Sequence, residues 1–153
     1  MHFIIENNKN LLLKDLSSRL PYGVKVYDTK SSANSSFMNL NHVNGTVGEV
    51  FISCRYECRT APIEDIKPYL FPLSSMTEEQ LAELKAFTDL RYEHNTLELV
   101  EWEDSCKTLE FWLEEIPSYC VIKVFDWLNK NHFDYRGLIE KGIALDATGL
   151  GIY

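Results

Sequence analysis

The densest group of side chains able to do chemistry is His132, Asp134, Tyr135, Arg136, Glu140 and Lys141. Histidine is the residue whose ordinary pKa suits proton transfer near neutral pH. In a site, His132 would act as base, Asp134 would orient it, and Arg136 would hold an anion with its forked guanidinium. Tyr135 would add a phenol. A structural role competes at each position. Asp134 is placed to cap a short helix from Tyr135 to Lys141, which Gly142 would close as a left-handed terminator. Arg136 would fall in the first turn of that helix, where a cation gains nothing from the helix dipole. It is therefore expected to pair with a carboxylate from another helix. Phe133 and Tyr135 can simply pack. The block is read first as structure, with binding at His132, Asp134, Tyr135 and Arg136 as the alternative.

Other reactive residue types form no site. Cys54, Cys58, Cys106 and Cys120 contain no C-x-x-C pair and have no histidine close by, so they are expected to be reduced thiols serving as small core hydrophobes. Glu101, Glu103, Asp104, Glu110, Glu114 and Glu115 read as a solvated acidic helix face rather than a metal site. Trp112 and Trp127 sit on or beside helix stripes and are expected in the core. The chain has no phosphate loop, dinucleotide fingerprint, nucleophile elbow, zinc-protease or EF-hand pattern. No catalytic residue, metal or cofactor is assigned.

Composition narrows the partners. The chain has 153 residues, 45% of them hydrophobic, and a formal charge of −8. That length fits one domain able to bury a core without disulfides. The negative field disfavours nucleic acid, which releases counterions to a positive surface. A nucleic-acid-binding barrel would need a basic face from Lys25, Lys30, Arg55 and Arg59. The opening residues lack the basic stretch and cleavage site of a secretory signal, and no apolar run approaches membrane-span length. A cytoplasmic location, a protein partner and no membrane partner are expected.

Several elements must position these residues. Leu12, Leu13, Leu16 and Leu20 recur at helical spacing, so a helix is predicted over Leu11 to Leu20, stopped by Pro21 and Gly23. Val24 and Val26 open a strand. The Ser/Asn-rich stretch from Asp28 to Asn44 reads as a loop with a short strand near Phe37 to Leu40. Thr46 to Ser53 and Arg55 to Arg59 read as an antiparallel hairpin. Ile63 to Lys67 reads as a last strand or a helical turn. Thr77-Glu78-Glu79-Gln80 is a capping box with Met76 and Leu81 at the staple positions, opening a helix to Tyr92. Leu109, Trp112, Leu113 and Ile116 mark another helix, and Val121, Val124, Phe125 and Leu128 a third, to about Asn131. The sum is an α+β fold: a small antiparallel SH3-like barrel or sheet in the N-terminal half, packed with a C-terminal layer of three to four helices.

Three stretches carry a resemblance. They are Lys14-Asp15-Leu16 with Arg19-Leu20-Pro21-Tyr22-Gly23-Val24; Ile63 to Leu70 with Ser74 to Glu79; and Phe125 to Gly142. Together they resemble uncharacterised proteins of gut Bacteroidales bacteria and their phages and prophages. The Ser/Asn-rich loop and Asp146-Ala147-Thr148-Gly149 depart from the pattern. The resemblance implies a phage-associated origin and supplies no catalytic residue. The leading expectation is a phage- or mobile-element-associated protein-interaction module. The alternatives are a small-ligand binder or enzyme using His132 to Lys141, and a nucleic-acid-binding small barrel.

Overall fold

A computed structural model describes residues 2–31, 37–86 and 118–153, and the side chains of these except at 2–7, 85 and 118–120. The first helix, α1, spans His2–Arg19, nine residues more at its start than the leucine stripe predicts. Residues 2–10 contain neither proline nor glycine, so nothing interrupts the ladder there. Leu12, Asp15, Leu16 and Arg19 form its buried stripe. The helix ends in a 3-10 turn, Leu20–Tyr22, closed by Gly23 at φ +69°. That left-handed value is cheap for glycine alone.

The strands are β1 (Lys25–Asp28), β2 (Met38–Asn44), β3 (Glu49–Ser53), β4 (Cys58–Pro62), β5 (Ile66–Leu70) and β6 (Leu145–Asp146). They form a six-stranded sheet in the order β4-β3-β2-β1-β5-β6. All neighbours are antiparallel except β5 and β6, which run parallel. The fold is thus α+β with a mixed, open sheet; β4 and β6 are its edges, and the sheet is not closed into a barrel. β3 starts at Glu49, three residues after Thr46, because 45–48 form a turn, and two further strands are displaced from their predicted places. β2 runs on to Asn44, and β4 begins three residues later than Arg55, because Arg55 and Tyr56 make the bend of the β3–β4 hairpin. Both readings of Ile63 to Lys67 hold: Ile63–Asp65 is a 3-10 turn and Ile66 starts β5.

β5 runs through Pro68, which faces Val26 of β1. Thr29 donates to the Asp65 carbonyl at 2.9 Å, and by the alternation of antiparallel pairs Val26 and Pro68 form a non-hydrogen-bonded pair. The missing N–H of Pro68 therefore removes no bond to β1.

One face of the sheet meets α1. Leu12 and Leu16 pack with Val24, Val26, Leu40 and Ile52. The other face carries Tyr27, Asn39, Phe51 and Thr60, all exposed. A second apolar cluster joins Leu73, Leu84, Val124, Trp127, Leu128 and Phe133. It unites α2 (Glu78–Ala86) with α3 (Ser118–Lys130). Trp127 lies in this core, stacked on Phe133 with ring centroids 5.6 Å apart. The two clusters meet where the Phe71 N–H donates to the His132 carbonyl (2.9 Å) and the Asp134 N–H donates to the Phe71 carbonyl (2.8 Å).

The capping box forms as predicted. The Gln80 N–H donates to Thr77 Oγ1 at 3.2 Å, and the Thr77 N–H donates to Gln80 Oε1 at 2.9 Å. Thr77→Ala is expected to cost about 1 kcal/mol, read as a lower urea midpoint with unchanged slope. The Thr96 to Glu103 segment, the helix at Leu109 to Ile116, Trp102, Trp112, Cys106 and the acidic stretch lie outside the described residues, as do 87–92 and 32–36. Cys54 packs partly against the core as expected, but Cys58 is exposed. It sits on edge strand β4 opposite Ser53, on the face away from α1, which is why it is not a core residue.

Candidate functional site

The His132 block is built on the end of α3. The Phe133 N–H donates to the Leu128 carbonyl (3.0 Å) and the His132 N–H to the Asn129 carbonyl (3.2 Å). These two bonds make a Schellman motif, whose C′ residue is left-handed and usually glycine. Here it is His132, at φ +60°. A histidine at that conformation costs about 1 kcal/mol relative to glycine, so its ring contacts must repay the strain. The ring stacks on Tyr153 with centroids 3.8 Å apart and planes at 16°. Burial, aided by the charges of Arg19 and Lys25, lowers the His132 pKa to about 4. The imidazole is therefore neutral at pH 7. Its Nδ1 is buried and has no hydrogen-bond partner among the described residues.

Asp134 is buried and its carboxylate accepts from the Leu138 N–H (2.9 Å) and the Ile139 N–H (2.8 Å). The predicted helix from Tyr135 to Lys141 is absent; residues 135–144 run in turns. Gly137 at φ +70° breaks the helical path two residues in from Tyr135. Asp134 therefore caps a turn, four and five residues ahead of itself, instead of the first turn of a helix. Among the described residues both its oxygens are engaged by these backbone N–H groups, and it makes no hydrogen bond to His132.

Arg136 finds the carboxylate expected on another helix. Its Nη1 donates to Asp15 Oδ1 of α1 at 2.9 Å, and Nη2 reaches Ser18 Oγ at 3.4 Å. The same Asp15 receives Arg19 through Nε (2.9 Å) and Nη2 (3.0 Å). Arg19 Nη2 also donates to the Phe133 carbonyl at 2.7 Å. Both Asp15 and Arg19 are fully buried. Tyr135 lies under the Arg136 guanidinium at 4.7 Å and packs on Phe125 at 5.1 Å. Its hydroxyl donates to Asn129 Oδ1 at 3.0 Å. Burial raises the Tyr135 phenol above its ordinary range. Glu140 and Lys141 are exposed at the rim.

The structure thus brings His132, Asp134, Tyr135 and Arg136 to one junction and gives three of them internal work. The network ties α1 to the end of α3 and the turns that follow. It holds the Asp15 carboxylate against two guanidiniums; Arg136 retains 22% side-chain exposure, and Arg19 Nη1 has no partner among the described residues. Among the described residues no three His, Cys, Asp or Glu side chains converge to hold a metal. A cavity of about 220 Å³ lies elsewhere, between α1 and β5, lined by Leu12, Ile66 and Ile143 with Lys9, Glu64 and Lys67.

Sequence reasoning overlooked Asp15 and Arg19. Their signal was present: an acid and a base at i, i+4 that fall on the leucine stripe itself. Of the basic residues required for nucleic acid, Arg59 faces the buried Asp28 at 2.6 Å. That contact is close but poorly directed for a hydrogen bond, so it is charge pairing. Arg55 lies over the Tyr56 ring.

Comparison with family models, curated proteins and solved structures finds no match for this chain.

Proposed function

We propose that this chain is a protein-interaction module of a phage or mobile element, built on an SH3-like sheet and binding through the sheet face turned away from α1. The strand order β4-β3-β2-β1-β5, with a 3-10 turn between β4 and β5, supports the SH3-like reading. β6 then extends the sheet along β5. The origin rests on the three sequence stretches described above.

The observation that carries the reading is the set of large aromatics on that face. Tyr27, Phe37 and Phe51 are each 39–40% exposed. The β1–β2 register pairs Val26 with Met38, which sets Phe37 opposite Tyr27 one residue on. Phe51 faces His42 and Thr60. A polar row of Lys25, Asn39 and Ser53 lies between these two aromatic groups. Aromatic anchors beside polar groups are what interfaces use. No helix among the described residues is long and apolar enough to cross a membrane.

The test is capture from a Bacteroidales lysate with the wild-type chain and with Tyr27→Ser/Phe51→Ser. A specific partner that binds the first and is lost from the second, with both chains equally folded by circular dichroism, is expected. Identical capture by both chains would sink the reading.

A further inference from the structure

The β1–β5 ladder stops one pair short, and a side chain completes it. Paired residues end at Val26 and Pro68. In the next pair, Lys25 and Tyr69, alternation calls for hydrogen bonds. The Lys25 N–H donates instead to the Tyr153 hydroxyl at 2.9 Å, and that hydroxyl donates to the Tyr69 carbonyl at 2.9 Å. The phenol therefore stands where a ladder bond would be. Its ring lies flat on His132 and tilts against Phe71, with centroids 5.8 Å apart. One polar bridge and two aromatic walls define a receptacle for a phenol.

The segment that delivers this phenol is lightly held. Residues 148–153 have no regular structure beyond a turn. Gly149 and Gly151 sit at φ +74° and +60°, left-handed values that glycine adopts at little cost. Leu150 is 54% exposed. Past Leu150, the hydrogen bonds that fix the segment to other described residues are those of the Tyr153 hydroxyl.

We propose that the receptacle formed by His132, Phe71, the Lys25 N–H and the Tyr69 carbonyl is a binding site for small phenols, closed in the resting chain by Tyr153. The polar bridge demands a group that both accepts and donates, which a phenol does and a plain aromatic ring does not. The ring walls demand a planar body. A free phenol must displace a tethered one, whose effective concentration is in the millimolar range. Wild-type chain therefore resists low concentrations of ligand, and removal of the Tyr153 ring opens the site.

The experiment uses the full chain as wild type and Tyr153→Ala, with p-cresol as probe and toluene as the hydroxyl-free control. p-Cresol is expected to raise the Tm of Tyr153→Ala in a saturable way, toluene to do much less, and wild type to gain little from either at the same concentrations. No gain from p-cresol, an equal gain from toluene, or an equal gain in wild type would overturn the site. If Tyr153→Ala is unfolded alone, recovery on dilution from urea is read instead. Recovery with p-cresol and not with toluene supports the site; no recovery overturns it. Amide exchange at Lys25 supplies a second reading in a variant that keeps the ring. Tyr153→Phe is expected to speed that exchange at least tenfold, and unchanged protection would contradict the bridge.

Discussion

Asp15→Ala is expected to cost about 3–5 kcal/mol of folding free energy, the usual penalty for removing one partner of a buried ion pair. One carboxylate holds three guanidinium nitrogens at 2.9–3.0 Å. Without it, Arg19 remains charged at 0% exposure, with the Phe133 carbonyl as its remaining acceptor among the described residues. Arg136 suffers less, because its side chain already reaches solvent. A chain with about 5–15 kcal/mol of total stability would lose a large share of it. The double variant Asp15→Leu/Arg19→Met should cost less than Asp15→Ala, since apolar residues of similar volume leave no buried charge. Urea unfolding at pH 7 decides the matter. A loss under about 1 kcal/mol for Asp15→Ala is what an exposed pair would give, and would show that the network is not the junction described.

The second large effect is a pH dependence from His132. Its folded pKa of about 4 lies below the ordinary 6.5. The unfolded chain therefore binds a proton between those two values while the folded chain does not. Stability from this residue is fully present above pH 6.5, falls as pH drops through that window, and falls no further below about pH 4. At 1.36 kcal/mol per pKa unit the whole effect is on the order of 3 kcal/mol. Between pH 7 and pH 4.5, about 2 kcal/mol of it should be lost. His132→Asn is the control, because asparagine tolerates the left-handed conformation and does not titrate. The difference between wild type and His132→Asn should shift by that amount across the window. A constant difference would mean that the folded chain takes up the His132 proton as readily as the unfolded one. Glu64, whose carboxyl is held below its usual value by backbone hydrogen bonding and Lys9, loses its contribution only at lower pH.

Local signals were legible where local chemistry decides structure. The Thr77–Gln80 box, the Pro21-Gly23 stop and the α3 stripe each need only neighbours in sequence. The β3–β4 hairpin was visible, but its register was not, because Arg55 and Tyr56 favour a strand and yet form the bend. β6 was invisible. Leu145 and Asp146 are two residues whose pairing to Tyr69 and Leu70 depends on a contact about 75 residues away. The site divided in the same manner. His132, Asp134, Tyr135 and Arg136 were picked out by residue type, and the expectation that Arg136 seeks a carboxylate on another helix is met by Asp15. The helix over Tyr135 to Lys141 failed because Gly137 takes a left-handed angle that its type permits and does not require. Tyr153 carried no signal at all. Its role comes from a ladder position vacated by two distant strands.

The central claim is the proposed one, that a protein partner binds the sheet face, while Asp134, Tyr135 and Arg136 serve as a structural junction. The dissociation constant of a captured partner tests this, measured by calorimetry for wild type, Tyr27→Ser/Phe51→Ser and Arg136→Gln, each confirmed folded. Loss of two aromatic anchors should weaken binding by about tenfold or more, equivalent to 1.4 kcal/mol per factor of ten. Arg136→Gln should leave the constant unchanged. Weaker binding by Arg136→Gln together with unaltered binding by the sheet-face variant would contradict the account and return function to the His132 block.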